Sequence, residues 1–292
     1  MKLDPNLVGL ELSPQASTWT KRDCALYALG IGAGHDDPAG ELDFTTDGSG
    51  GRSQRVYPTF GVLAGTAAGV GELIAALGDA VDFTQMLHGE QRLDQLATLP
   101  ADAAVTAKSQ ISAIWDKSSA TVVETTSDVA DADTGEVYCR STQSMFFRGV
   151  GGWGGERGPS TPKWSPPPAD PDRVFTARTR ADQALLYRLS GDHNPLHVDP
   201  EVAKAAGFDR PILHGLCVYG IAGRLLLAGY CDADPSRFKS LSGRFSATTV
   251  PGDTLTVDTW QSSPGIVDFC VKNDSGAVLF SQGRFEFSAD SA

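Results

Sequence analysis

Between Tyr187 and Leu216 the chain reads YRLSGDHNPLHVDPEVAKAAGFDRPILHGL, which sets a carboxylate, an amide and an imidazole within six residues: Asp192, Asn194 and His197. Pro195 stiffens the chain between them. An imidazole titrates near neutrality, and a carboxylate beside it can orient the same water, so Asp192 and His197 can share proton work on a bound water molecule. Asn194 can donate and accept at once, which suits holding that water in place. Gly215 opens the helix that follows. Unpaired backbone N–H groups and the helix dipole favour developing negative charge there, and the missing side chain lets a ligand approach the backbone. Taken singly, each residue has an ordinary structural role: Asp192 as a turn residue, His197 as a residue before a helix, His214 as a packing or capping histidine, Gly215 as a close-packing glycine. Their order is more restrictive than any one of them.

Chemically, such a set suits the addition of water across a double bond conjugated to a thioester. That reaction needs a base for the water, an acid for the α-carbon, and donors for the carbonyl oxygen as it gains enolate character.

The elements that must position these residues are legible in the second half. Thr179 and Asp182 form a capping-box-like start for a helix to about Leu189, which Gly191 can end. Asp199 can cap a short helix with Pro200 at its first position and Gly207 at its close. Residues Leu213 to Ala228 are apolar around most of the helical circumference, with Arg224 the only charge, which predicts a buried helix. Four strand-like runs follow, Lys239–Ala247, Thr254–Trp260, Ile266–Lys272 and Ala277–Phe287, separated by turn signals. A buried helix wrapped by an antiparallel sheet is a hot-dog fold, of class α+β.

The first half repeats this order. CALYALGIGAG (24–34) parallels ALLYRLSGDHN (184–194), YPTFGVL (57–63) parallels RPILHGLC (210–217), TLPAD (98–102) parallels TVPGD (249–253), and DTGEV (133–137) parallels DSGAV (274–278). Four matches in one order point to duplication, hence a double hot dog. A helix over Gly61–Leu77 and strands near Ala80–Glu90, Ala104–Asp116, Ser119–Asp131 and Glu136–Arg148 complete the first copy. The glycine- and proline-rich stretch reads as a linker, giving halves 1–150 and 173–292 around residues 151–172. Aligned through Tyr27 and Tyr187, Gly32 stands opposite Asp192, Gly34 opposite Asn194 and Asp37 opposite His197. One active site per chain is therefore expected, built on the second half, with the first half shaped for the acyl tail. GIGAG (30–34) follows a helical pattern, not a strand, and is not a nucleotide loop.

Composition narrows the classes. The 292 residues are 41% hydrophobic and 21% charged, an ordinary globular balance, and the formal charge of −12 argues against nucleic-acid binding. No apolar run has the length of a membrane span, and neither a secretory signal nor a terminal S-K-L address is present, so a cytosolic location is expected. The five cysteines show no metal or disulfide spacing and read as reduced and buried.

The segment Tyr-x-x-Ser-Gly-Asp-x-Asn-Pro-x-His, with His-Gly at the next helix start, resembles the signature of the type 2, R-specific enoyl-CoA hydratases, the MaoC-like group that includes the hydratase part of peroxisomal multifunctional enzymes. LYALGIGAG, YPTFGVL and LHGEQ resemble that family's amino-terminal half. The resemblance implies a double hot dog that hydrates trans-2-enoyl-CoA to (R)-3-hydroxyacyl-CoA without metal or organic cofactor. It implies Asp192 and His197 as the catalytic pair, Asn194 beside the water, and Gly215 as holder of the thioester oxygen. It also implies substrate contacts at His88, Gly89, Lys117, His193, Pro195, Leu196 and Phe245, with Lys117 near the CoA portion, and a homodimer by analogy. Three alternatives stay open: dehydration of (R)-3-hydroxyacyl thioesters on acyl carrier protein, a non-catalytic acyl-CoA binding module, and a thioesterase.

Overall fold

The computed structural model describes residues 4–66, 70–81, 86–160 and 164–289. Its strands are β1 (Gln15–Trp19), β2 (Met86–Gln95), β3 (Ala103–Asp116), β4 (Ala120–Asp131), β5 (Val137–Arg148), β6 (Arg173–Arg178), β7 (Phe238–Phe245), β8 (Thr254–Ser263), β9 (Ile266–Lys272) and β10 (Val278–Phe287). Its helices are α1 (Lys21–Gly30), α2 (Leu42–Thr45), α3 (Gly61–Thr66), α4 (Val70–Leu77), α5 (Gln183–Tyr187), α6 (Pro200–Ala205) and α7 (Gly215–Cys231). The chain packs as two units, each with five strands.

In the unit that carries the motif, the strands run in the order β7-β10-β9-β8-β6, with antiparallel pairing throughout. Helix α7 lies against this sheet with Leu216, Cys217, Val218, Tyr219, Ile221, Ala222, Leu226, Leu227 and Cys231 all buried. Its apolar circumference thus meets protein on most sides, as the sequence pattern requires. Gly220 is where α1 comes closest: a Cβ there would sit 2.5 Å from Ile31 Cγ2 and 2.8 Å from Tyr27 Oη. Arg224, the lone charge on the helix, donates to both carboxylate oxygens of Glu41 at 3.1 and 3.0 Å and to the Ile31 carbonyl at 3.1 Å. Tyr57 adds a hydroxyl donor to Glu41 at 2.6 Å.

The other unit orders its strands β1-β3-β4-β5-β2. Leu73 and Leu77 of α4 pack with Ile111 and Ile114 of β3, Val123 of β4, and Met145 and Phe147 of β5. Two hot-dog units in one chain follow, the expected α+β architecture.

Several expectations need correction. The units of packing are not the two halves of the sequence: residues Thr18–Phe60 and Ala97–Ala103 pack with Pro166–Ala292, not with the rest of residues 1–150. The cause is visible at α1, where Gln183 Nε2 donates to the Gly30 carbonyl at 2.6 Å and the rings of Tyr27 and Tyr187 lie 6.1 Å apart. The stretch 151–172 is not a free linker over its first part. Asp116 accepts from the backbone N–H of Gly152 at 2.7 Å and Gly154 at 2.8 Å, and Trp153 Nε1 donates to Thr121 Oγ1 at 2.9 Å. The Thr179–Asp182 capping box does not form, because the Thr179 hydroxyl donates to the Asp253 carbonyl at 2.8 Å while Asp182 pairs with Arg180. Asp199 does cap α6, accepting from Glu201 N at 2.9 Å. The helix read over Gly61–Leu77 is observed as α3 and α4, and residues 67–69 between them lie outside the described residues. The strand read from Ala80 is observed from Met86, with residues 82–85 also outside them.

Candidate active site

The motif folds as two tight turns leading into a helix. Gly191, at φ +125°, ends the turn after α5, a backbone conformation open to glycine. Asp192 follows and accepts from the Asn194 N–H at 3.2 Å. Asn194 then caps a single 3-10 turn, Pro195–His197, its Oδ1 accepting from Leu196 N at 3.0 Å. The amide oxygen of Asn194 is therefore engaged, and its NH2 group is what remains to donate. Pro195 takes the first position of the turn, and the turn carries the His197 ring back toward Asp192.

His197 is held at one edge. Its Nδ1 lies 2.9 Å from the Ile212 carbonyl oxygen. A carbonyl can only accept, so Nδ1 carries the proton and Nε2 keeps its lone pair. The other face of the ring rests on His214, with ring centroids 3.8 Å apart and planes 29° from parallel. Single donor atoms of Asp192, His197 and His214 all lie within 4.8 Å of one another. Among the described residues this is the group of His, Cys, Asp or Glu side chains close enough to share a metal ion. Its geometry serves equally for moving a proton between a carboxylate and an imidazole through one water.

Burial lowers the pKa of His197 below its ordinary value of 6.5; the hydrogen bond to Ile212 and the Asp192 charge oppose this without cancelling it. His214 is lowered as well, first by burial and then by His197 beside it. Both rings are thus neutral at pH 7, the state in which His197 Nε2 can take a proton.

Gly215 is the first residue of α7, with His214 at the N-cap. Its N–H has no carbonyl one turn back to meet, so it points out of the helix as a donor. A Cβ on Gly215 would lie 3.1 Å from Cε1 and 3.2 Å from Cδ1 of Phe245, so the Phe245 ring closes one side of this helix start. Phe245 is fixed in turn by an edge-on contact with Phe280, centroids 5.1 Å apart.

Of the residues read from the sequence, Asp192, His193, Asn194, Pro195, Leu196, His197, Gly215 and Phe245 fall in one unit; His88, Gly89 and Lys117 fall in the other. His193 and Pro195 are exposed, and Leu196 is half-buried. His88 and Gly89 lie in β2 at a bulge opposite Met145 and Ser144 of β5. Lys117 donates to the carbonyls of Arg157 and Pro159 at 2.6 and 2.7 Å and lies 5.4 Å from the centroid of the Trp115 ring. Its ammonium therefore anchors the glycine-rich segment, a task its spacing did not reveal. The sequence reading also passed over His214 as a packing or capping residue. It makes no side-chain cap, and it touches both members of the acid–base pair. Its place directly before Gly215 was the available signal.

A hot-dog unit whose buried helix starts beside a carboxylate and a neutral imidazole is the architecture of an acid–base site open to a ligand oxygen. Two family descriptions match the chain: "MFE-2 hydratase 2 N-terminal domain" over residues 17–149 and "MaoC like domain" over residues 164–277. A 3-hydroxyacyl-thioester dehydratase Y of Mycobacterium tuberculosis is 38% identical, covering 99% of this chain and 100% of that protein. A probable enoyl-CoA hydratase 2 of Dictyostelium discoideum is 36% identical over 95% of this chain and 94% of its own length. The crystal structure of a MaoC-like dehydratase from Phytophthora capsici superposes with a TM-score of 0.86 at 31% identity, covering 98% of each chain. The chain belongs to the MaoC-like, hydratase 2 family.

Proposed function

We propose that the protein is a hydro-lyase that reversibly hydrates trans-2-enoyl-CoA to (R)-3-hydroxyacyl-CoA in fatty-acid or related acyl-CoA metabolism, including β-oxidation. The observation that carries this reading is the convergence of the Asp192 carboxylate and a neutral His197, its Nε2 bare, beside the free N–H of Gly215 at the start of α7.

In the hydration direction, the Gly215 N–H and the helix dipole bind the thioester oxygen and stabilise the enolate that develops on it. Asp192 and the NH2 group of Asn194 orient a water over the β-carbon. His197 Nε2 takes a proton from that water as the oxygen bonds to the β-carbon, and the same proton passes from the imidazolium to the α-carbon. No net proton or electron is left over, so no step needs a redox partner, and the reading assigns every proton transfer to the chain's own residues without a metal or organic cofactor. Substrate contacts within the unit that carries the motif are assigned to His193, Pro195, Leu196 and Phe245. A homodimer is assigned by analogy with hot-dog sheets that pair. A cytosolic location is supported by five cysteines that are all buried free thiols, as expected in a reducing compartment.

The test is turnover of enoyl-CoA substrates of graded length with chiral analysis of the product, with and without EDTA. The wild type is expected to yield the R product at a rate EDTA does not change. Asp192→Asn and His197→Gln are each expected to lower kcat by about 100-fold or more while retaining the fold. An S product, or a wild-type rate in either variant, would overturn the reading.

A second reading has a specific observation behind it, since the relative matched over its whole length is named as a 3-hydroxyacyl-thioester dehydratase. The same residues catalyse both directions. Comparing turnover of CoA and acyl-carrier-protein thioesters separates the two substrate classes.

A further inference from the structure

His214 meets the His197 ring, the Asp192 backbone and the start of α7. Its ring covers one face of His197 at 3.8 Å. Its Nε2 lies 3.3 Å from the backbone carbonyl of Asp192 and, facing an acceptor, must carry the proton. Its own carbonyl accepts from the N–H of Cys217 at 3.1 Å and Val218 at 3.2 Å, which fixes the first turn of α7 and so the direction of the Gly215 N–H. The ring is 0% exposed, with Tyr187 against it at 5.0 Å between centroids.

An aliphatic side chain would fill this volume without stranding a polar atom. The imidazole does strand one: His214 Nδ1 is buried and has no hydrogen-bond partner among the described residues. Such an orphan is destabilising, since a desolvated acceptor has lost its water without gaining a donor. What the imidazole supplies in return is mechanical. A ring held at one edge by one in-plane hydrogen bond, as His197 is by Ile212, can still swing about that bond. A flat ring stacked on its face removes that freedom, and the Nε2–H tethers the backbone of Asp192 at the same time.

We infer that His214 is a positioning residue: a neutral Nε2–H imidazole that sets the His197 ring and the Asp192 backbone relative to the Gly215 N–H, without touching the substrate or exchanging a proton. The kinetic part of this inference rests on the hydratase reading. The structural part does not.

The test uses three variants of the full chain, each checked for folding by thermal unfolding. His214→Gln keeps an N–H near the Nε2 position and loses the stacked face; His214→Phe keeps the face and loses the N–H; His214→Ala loses both. Small misplacements of reacting groups cost up to about 100-fold in rate. The expected pattern is therefore a kcat lowered about 10-fold in the Gln and Phe variants and about 100-fold in the Ala variant, with KM little changed. In a His197→Gln background, His214→Ala is expected to add little, because the ring it orients is already gone. A wild-type kcat in all three variants, a loss confined to KM, or an undiminished loss in the His197→Gln background would each overturn the inference. Nitrogen-15 shifts of the unliganded wild type give a readout that needs no turnover: His214 is expected as the Nε2–H tautomer at neutral pH, and a proton on Nδ1 would overturn the inference. If the wild type turned over no enoyl thioester, the proposed function would fail while the tautomer measurement still judged the geometry.

Discussion

Burial keeps the His197 imidazole neutral at pH 7, the form that the proposed reaction uses. The sign of the pH effect follows. Both His197 and His214 have pKa values lowered from 6.5 in the folded chain, so below pH 6.5 the unfolded chain binds protons that the folded chain refuses. This contribution to stability is complete above about pH 6.5 and is lost as pH falls through the folded values. Urea unfolding midpoints should therefore drop between pH 7 and pH 5, and less so in a His197→Gln, His214→Gln double variant. For the same reason the acid limb of kcat/KM should have its midpoint below 6.5; a midpoint above it would contradict a desolvated base. Gly215 makes a steric prediction. A methyl at 3.1 Å from the Phe245 ring forces that ring aside, so Gly215→Ala should lower kcat/KM at least about 10-fold, and Phe245→Leu in the same chain should recover part of the loss. Equal rates for Gly215→Ala and wild type would show that this helix start does not receive the substrate. Asp192, Asn194 and His197 could be read from sequence because six residues and a proline define a local turn. For His214 the place before Gly215 marked the position but not the contact, because its ring stacks on a ring 17 residues away in the chain.

Elements were legible where enough of their side chains are buried to leave an apolar pattern in the sequence. Strand β3 alternates buried and open positions over most of its length and β4 over its second half, and the ends of β3, β4 and β5 were read to within a residue or two. Strands β1 and β6 were missed. Each lies at the outer end of its unit's strand order, and each buries a single side chain, Trp19 and Ala177, so neither carries the period-2 signal. Helix α7 was read from its apolar circumference, and Arg224 stood out as its one charge. Its partner could not be seen, since Glu41 lies 183 positions away in sequence. The pair is mostly buried, with Arg224 12% and Glu41 24% exposed. Removing one member of such a pair leaves the other charge desolvated. Glu41→Gln should therefore cost about 3 kcal/mol, the low end of the range for buried pairs, whereas Arg224→Met combined with Glu41→Gln should recover much of it. Urea denaturation of the two single variants and the double variant measures this directly, and additive losses would show that the pair is not coupled.

At the scale of the whole molecule, duplication supplied two copies of the hot-dog unit, whereas the aligned turns differ in their polar residues. The first-half segment that aligns with the Asp192 turn carries Gly32, Gly34 and Asp37 instead of the carboxylate, amide and imidazole. In the structure that segment has a different task. The Ile31 carbonyl accepts from Arg224, and the Gly34 N–H donates to Glu41 at 2.9 Å, so the loop wraps the ion pair that fastens it to α7. The backbone of this loop is thus spent on closing a charged pair against the buried helix. Sequence alignment of the halves exposed the missing residues; what replaced them needed the packing, because Thr18–Phe60 joins the second unit instead of its own half. One acid–base site per chain is the prediction. An unreactive acyl-CoA analogue, titrated calorimetrically against the full chain, should bind with a stoichiometry of one per chain, and the Asp192→Asn, His197→Gln double variant should retain that stoichiometry while losing turnover. Two sites per chain, or residual turnover in the double variant approaching that of either single variant's parent, would mean that the first half carries chemistry of its own.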